Sequence, residues 1–477
     1  MNRPSGTIEK KTLILILVSG ALLRLIFYKF LGPLYWHSAN YYEQGDSSSW
    51  IRCVYYLVNN FHYTCDPAMA NGEFFRPPGY SFFLLPFYLV TGNDAQATYK
   101  LVAVIQTLLD IVSIWFVWQI AKRLFTTLRP VIISAALYAC YPFIIVWNPI
   151  AYAESTSIFF MLGSFYFLLN TNLKGNYALS GLMMAASVLT RLQTMFIIPA
   201  MFIGFIIAHK QKVISFRNAL TFFMSFSLLY GLWPARNYFL HDRIVFGQDV
   251  RRGGSQGDDL IAFYNYILTV NTDIYPQFDQ IVYGKKVEWP PVSYSQQGEA
   301  AKLDSLVRIC RECGTGFTKF MYDYKLIPEW SEKDNHCDSA IIAGFDLLTA
   351  RQREVNPLNS YLIVPLNNLQ KAFFKTDKYK SGSALLSVAY SVLFGYRSLL
   401  IILGLAGVVL MLRKKQSAWM AVLIIIFFIG WYLYLSFVYR NMEIRYLLSC
   451  DIMLLFPAAF LIASWTEKFS KPEISSN

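Results

Sequence analysis

Long apolar runs alternate with short polar breaks along most of this chain, and the run lengths predict the architecture. A helix of about 20 apolar residues matches the hydrocarbon thickness of a bilayer. Ten runs of roughly that kind fall at about 12–32, 98–120, 130–147, 154–170, 177–191, 193–208, 218–235, 396–412, 417–438 and 446–465. One more run, Gly79 to Val90, is apolar but only about a dozen residues long and contains Pro86. Runs that short are usually re-entrant or interfacial, so it is read as a surface-lying helix inside a long first external loop, about Gly32 to Ala97.

The expected fold is therefore an all-α polytopic membrane protein of about ten spans with three external regions. They are the first loop, a short turn at Trp147–Glu154, and about 150 residues between the seventh and eighth spans, long enough for a folded lid or small domain. Within that segment Arg251 to Pro291, rich in Gly, Tyr, Gln and Asp, reads as irregular. Glu299 to Lys380 has helical periodicity, as in Ala301-Lys-Leu-Asp-Ser-Leu-Val-Arg. The expected division is a membrane core at 1–240 carrying the first external loop (32–97), an external segment at 241–384, and C-terminal membrane helices with a tail at 385–477. No internal repeat or low-complexity tract is visible.

Composition agrees: 55% of the residues are hydrophobic and 17% aromatic, which excludes a soluble globular chain of this length. The net charge of +12 could suggest nucleic acid, but its location argues otherwise. Residues 235–384 hold 18 Lys/Arg and 18 Asp/Glu and so net zero. Much of the excess lies at Arg3, Lys10, Lys11, Lys122, Arg123, Arg129, Lys174, Lys210, Lys212, Arg217, Arg413, Lys414, Lys415, Lys468 and Lys471. These are the alternate connections and the two ends, which the positive-inside rule assigns to the cytoplasm. Were Gly79–Val90 to span, Lys122, Arg123 and Arg129 would move outside. The expectation is a multi-pass protein of the cell inner (plasma) membrane, both termini cytoplasmic, no nucleic-acid partner, and no cleavable signal, because the first apolar run is long and lacks a small-residue cleavage site.

Candidate chemistry gathers on the external side. The first loop carries Asp46 in Gln-Gly-Asp-Ser-Ser-Ser and then Phe-Phe-Arg-Pro-Pro-Gly-Tyr, Phe74 to Tyr80. Asp46 reads either as an N-cap of the helix entered at Trp50 or as a carboxylate that takes a proton from an attacking hydroxyl. Glu43 is its nearest competitor for the second role. Glu154, at the outer end of the fourth span, reads as a cap favoured by the helix dipole or as an acidic partner of Asp46. Four arginines lie at external helix ends: Arg76, Arg191, Arg236 and Arg445. Singly each suits an interfacial anchor. Jointly they suit a phosphate, which a guanidinium meets with two parallel donors, and Arg440 could join them.

Arg24 and Asp110 fall within spans, and a mutual ion pair explains both. An unpaired charge there costs at least about 2.5–3.5 kcal/mol. Of seven cysteines, Cys140 and Cys450 lie in apolar runs, while Cys53, Cys65, Cys310, Cys313 and Cys337 are external, where disulfides are permitted. Cys53–Cys65 is a plausible pair. Cys310-Arg-Glu-Cys313 with His336-Cys337 superficially resembles a zinc site, but a single CxxC does not make one, and no metal or other cofactor is expected.

In order and spacing, Asp46, Arg76-Pro77-Pro78-Gly79-Tyr80, Glu154, Leu189-Thr190-Arg191, Pro234-Ala-Arg236-Asn237-Tyr238 and Arg445-Tyr446-Leu447-Leu448 resemble the GT-C glycosyltransferases. The branch is the bacterial one similar to dolichyl-phosphate-mannose protein mannosyltransferases and lipid A aminoarabinose transferases. The family often has Asp where this chain has Glu154, and proline where Leu192 follows Arg191. The resemblance implies inverting transfer of one sugar from a polyprenyl-phosphate donor to an extracytoplasmic glycan, lipid or protein. Asp46 would deprotonate the acceptor, Glu154 or Glu43 would assist, and Arg76, Arg191, Arg236 and Arg445 would hold the donor phosphate. Tyr41, Tyr42, Trp50 and Tyr80 would line sugar or isoprenoid surfaces. Two rival readings are a lipid-linked glycan transporter or flippase, which would show paired repeats and midplane charges, and an oligosaccharide polymerase or ligase using a similar carrier.

Overall fold

The computed structural model describes residues 6–67, 71–249, 257–294, 298–330, 337–374, 384–440 and 442–469, and among them the regular structure is entirely helical. The N-terminal half comprises α1 (Gly6–Ile26), α2 (Gly32–Tyr35), α3 (Ser47–Asn60), α4 (Pro78–Val90), α5 (Ala95–Leu124), α6 (Leu128–Ala139), α7 (Pro142–Trp147), α8 (Ala153–Leu169), α9 (Asn176–Thr190), α10 (Ile197–Lys210), α11 (Phe216–Tyr230) and α12 (Leu232–His241). The external segment holds α13 (Asp258–Val270), α14 (Tyr275–Val282), α15 (Glu299–Cys313), α16 (Thr315–Asp323), α17 (Asp338–Val355) and α18 (Val364–Phe374). The chain then returns through α19 (Ala384–Arg413), α20 (Ala418–Leu433) and α21 (Ile444–Phe469).

Among the described residues seven helical stretches are long and apolar enough to cross a membrane: Thr7–Tyr35, Ala95–Leu124, Leu128–Trp147, Leu192–Lys210, Tyr390–Arg413, Ala418–Tyr439 and Ile444–Glu467. They coincide with seven of the ten expected spans. The other three fall on α8, α9 and α11, with 17, 15 and 15 residues, shorter than a straight crossing of the hydrocarbon requires. The span at 130–147 is two helices meeting at Cys140–Tyr141, where Pro142 supplies a fresh start with no N–H to leave unpaired.

The local signals that set these boundaries are physical. Asp94 caps α5 by accepting from the Ala97 N–H at 3.0 Å, and Ser215 caps α11 by accepting from Asn218 at 3.2 Å. α4 begins at Pro78 after an extended Pro77, as a residue preceding proline must be. It packs on α3, α5 and α9, and Gly79 is what permits the last contact. A Cβ there would come within 2.5 Å of the Leu189 carbonyl carbon and the Thr190 nitrogen. The glycine of the Arg-Pro-Pro-Gly-Tyr motif thus brings the arginine side of the first loop against the C-terminal end of α9.

Two buried ion-pair networks tie the helices of the membrane core together. Arg24 on α1 meets Asp110 on α5 at 2.6 Å and the Ala139 carbonyl at 2.9 Å, with Tyr138 donating to the same carboxylate. The pairing expected of Arg24 and Asp110 is observed. A second network did not stand out in the sequence. Arg397 on α19 binds both oxygens of Asp451 on α21 at 2.7 and 3.1 Å, and Tyr141 and Tyr432 donate to that carboxylate at 2.8 and 3.0 Å.

The external segment differs from expectation in its first part. Residues expected to be irregular form α13 and α14 instead. The turn-forming composition around them concealed a helical stripe, Leu260, Phe263, Tyr266, Ile267 and Val270, spaced as one buried helix face. That stripe builds a separate apolar core with Phe278, Phe317, Phe345 and Leu348. The expected helical character of the second part is observed in α15 to α18. Disulfides join Cys53 to Cys65 and Cys313 to Cys337, while Cys310 is free and buried. His336 lies outside the described residues.

A candidate active site at the outer helix ends

Four parts of the chain that are remote in sequence converge on one cavity of about 620 Å³. The first loop contributes Asp46, Trp50, Phe75 and Arg76. The exit of α9 contributes Arg191, the entry to α21 contributes Glu443, Arg445 and Tyr446, and the external segment closes one side with Tyr264, Asn265, Leu268 and Tyr275.

Asp46 occupies the N-cap position of α3, yet its side chain does not cap that helix. One carboxylate oxygen instead accepts from Arg76 Nη2 at 2.8 Å, and the other pairs with Arg445 Nη1 at 2.9 Å. Its backbone N–H donates to the Tyr152 hydroxyl at 3.2 Å, which fixes the turn carrying it. The side chain remains about one-third exposed, 31%, so a substrate can reach it. Burial alone would raise its pKa, but Arg76, Arg445 and Arg191 outweigh that and hold the carboxyl well below the usual range. The group is an anion throughout the neutral range.

The arginines are held from several sides. Arg76 donates through Nε to Ser49 Oγ at 3.0 Å and lies over the rings of Trp50 and Phe75 at 4.9 and 4.8 Å. Arg191 pairs with Glu154 at 3.0 Å and faces the Tyr446 ring at 5.4 Å. Arg445 reaches three carboxylates: Asp46, Glu154 at 3.9 Å, and Glu443 at 2.6 Å through Nε. Its guanidinium also stacks 4.7 Å from the Tyr152 ring. Contacts of this kind, partly desolvated, strengthen both the charge-assisted bonds and the cation–π attraction.

Of the residues singled out in the sequence, Asp46, Arg76, Arg191, Arg440 and Arg445 line the cavity, and Glu154 sits buried behind it. Arg236 stands elsewhere. Its guanidinium donates to the backbone carbonyls of Tyr63 at 2.8 Å and Glu73 at 3.3 Å, bracing the first loop against α12. Glu43 accepts from Gln96 away from the cavity. Of the expected aromatic lining, Trp50 is present, whereas Tyr41 and Tyr80 are wholly buried and hydrogen-bonded to the Tyr28 carbonyl and to Gln106. Two participants escaped the sequence reading. Glu443 lies two residues before Arg445, a proximity that could have drawn notice. Tyr152 carries no local signal at all.

No group of three or more His, Cys, Asp or Glu that could hold a metal ion occurs among the described residues. The carboxylates around the cavity are each paired with a guanidinium.

The family model for dolichyl-phosphate-mannose-protein mannosyltransferase matches residues 75–235, which contain Arg76, Glu154 and Arg191. No curated protein sequence matches the chain. Among solved structures, the archaeal oligosaccharyltransferase AglB from Archaeoglobus fulgidus, in complex with an inhibitory peptide and a dolichol-phosphate, superposes with a TM-score of 0.51 at 14% identity. The match covers 96% of this chain and 51% of that one, so the chain spans about half the length of that relative. ArnT from Cupriavidus metallidurans bound to undecaprenyl phosphate matches with a TM-score of 0.31 at 13% identity, over 89% of this chain and 75% of that one. The resemblance to GT-C glycosyltransferases expected from the sequence is borne out, and the fold is shared with the oligosaccharyltransferase.

Proposed function

We propose that this protein is a membrane glycosyltransferase that moves a single sugar from a polyprenyl-phosphate donor to an extracytoplasmic acceptor, with inversion at the anomeric carbon. The observation that carries the reading is the position of Asp46, an ionised and reachable carboxylate set between Arg76 and Arg445 at the outer ends of membrane helices. A polyprenyl tail stays in the bilayer, so its sugar-phosphate must be met at that level. The archaeal structure named above that holds a dolichol-phosphate agrees with such a donor. The basic connections between helices support placing the site on the extracytoplasmic face of the cell membrane and both termini in the cytoplasm. The separate core of the external segment supports treating residues 241–384 as a domain of their own.

The chemistry follows from the charges. Asp46 takes the proton from the acceptor hydroxyl as its oxygen forms a bond to the anomeric carbon. The bond from that carbon to the phosphate oxygen breaks on the opposite side, and the phosphate leaves with one more negative charge. Arg191 and Arg445, held over aromatic rings, stabilise that developing charge. A positioned general base contributes about 10²–10⁴-fold. Asp46→Asn should therefore lower turnover of a polyprenyl-phosphate sugar by at least that range in the purified, folded protein. Wild-type turnover by the Asn variant would remove Asp46 from the role of base. A second reading, a ligase of preassembled glycans, takes its support from the fold shared with an oligosaccharyltransferase. Turnover of a diphosphate-linked oligosaccharide with none of a single-sugar polyprenyl phosphate would favour it.

A further inference from the structure

Most of the charges around the cavity are matched to one another. Three guanidiniums, Arg76, Arg191 and Arg445, face three carboxylates, Asp46, Glu154 and Glu443, while Arg440 is tied to the carbonyls of Leu268 and Phe437. At Arg76, Arg191 or Arg445 an incoming phosphate must compete with a carboxylate already paired there, whereas Arg440 is bonded to carbonyls. The three carboxylates differ in how readily they can yield. Asp46 is gripped by two arginines. Glu154 is almost fully buried in the first turn of α8, its side chain 3% exposed. Glu443 is 28% exposed and immediately precedes α21, three residues after Arg440 in a left-handed conformation with φ 60°.

We infer that Glu443 is a built-in counter-ion for Arg445: it occupies the guanidinium when the site is empty, yields to the carrier phosphate, and returns to help expel the spent carrier. Its Oε2 accepts from Arg445 Nε at 2.6 Å while its Oε1 accepts from the Tyr446 hydroxyl at 2.9 Å. Glu443, Arg445 and Tyr446 all line the cavity. The inference rests on the donor reading above, because it concerns the same phosphate. Its physical logic is a matter of charge. The donor is a phosphodiester with one negative charge, and the product is a phosphomonoester with nearly two. Arg445 would therefore hold product more tightly than substrate, and turnover would stall unless a competing anion restores the empty state. A partly exposed carboxylate two residues away, at the start of α21, lowers the net gain from binding both and most matters for the more highly charged product.

The expected sign is the opposite of ordinary loss-of-contact behaviour, which makes the idea easy to overturn. Glu443→Gln keeps the shape and can still accept from Tyr446, but it removes the competing charge. In the full chain reconstituted in nanodiscs, the variant should bind undecaprenyl phosphate about five- to tenfold more tightly than wild type, the scale of a partly exposed ion pair. The same product should become a stronger inhibitor of transfer. Undecaprenol, which lacks the phosphate, should bind both proteins alike. In an Arg445→Ala background the gain should vanish, and Glu443→Ala provides a second variant if Gln misfolds. Unchanged or weaker phosphate binding in Glu443→Gln would overturn the counter-ion role, as would a gain that persists without Arg445. Failure of the wild type to bind the phosphate carrier at all would instead overturn the donor reading, so the two failures are distinguishable.

Discussion

Arg445 is the guanidinium on which most of the site's charge converges, and its replacement by Ala and Lys gives two distinct outcomes. In the structure its Nη1 lies 2.9 Å from Asp46 and its Nε lies 2.6 Å from Glu443 and 3.9 Å from Glu154. Arg445→Ala removes one charge-assisted contact to the donor phosphate, worth roughly 1.5–3 kcal/mol, so kcat/KM for donor should fall about 10- to 150-fold. Stability should suffer less. Glu154 keeps Arg191 at 3.0 Å and Asp46 keeps Arg76 at 2.8 Å, so no buried charge is left alone and the loss should stay below the roughly 3–5 kcal/mol of a broken buried pair. Arg445→Lys restores the charge, but a single ammonium cannot occupy the Asp46 and Glu443 positions that two guanidinium nitrogens now serve, and it loses the guanidinium contact over the Tyr152 ring. Lys should therefore recover only part of the lost efficiency. The assay is initial-rate transfer in nanodiscs with donor varied and acceptor saturating, beside a thermal unfolding curve for each variant. Normal donor kinetics in a well-folded Ala variant, or full recovery by Lys, would refute the phosphate-holding role.

Two further outcomes follow from other parts of the structure. Arg76→Gln removes a large share of the attraction that holds Asp46 ionised against its burial. The acid limb of its pH–rate profile should therefore move to higher pH than in wild type, with the alkaline side unchanged; superimposable profiles would contradict this. Asp451→Asn leaves Arg397, 1% exposed, without its carboxylate inside the helix bundle. It should cost about 3–5 kcal/mol of stability while donor KM stays unchanged in the folded fraction; a raised KM without loss of stability would place Asp451 in the site instead.

What could be read from the chain and what could not divides along the range of the forces involved. Hydrophobic run length reports directly on the thickness of the medium a helix must cross, so the helical membrane architecture and most helix positions were legible. The same holds for the pair formed by Arg24 and Asp110, because an isolated charge in an apolar run demands a partner and few were on offer. Arg397 and Asp451 form a similar pair, yet Arg397 stands at the very start of an expected span, where a charge calls for no explanation, so nothing marked it as the partner of Asp451. Helices α13 and α14 were hidden because Gly- and Asp-rich flanks dominated the composition, whereas burial of one face decided the local conformation.

The site shows the division most clearly. Residue type, order and placement after apolar runs were enough to single out Asp46, Arg76, Arg191 and Arg445, since several arginines gathered with a carboxylate at external helix ends jointly suit an anionic phosphate. The chain alone left open whether Asp46 caps α3 or faces arginines, and whether Arg236 reaches the cavity or braces a loop. Those alternatives share the same local sequence and differ only in which distant groups come within about 3 Å, the hydrogen-bond range. Packing of Gly79 on the end of α9 and the entry of α21 beside the first loop decided them. Sequence thus determined which charges stand at the membrane surface, because that depends on local hydrophobicity. Only the tertiary structure decided which of those charges pair, because most of the ion pairs join groups held tens to hundreds of residues apart in the chain, from Asp46–Arg76 to Asp46–Arg445.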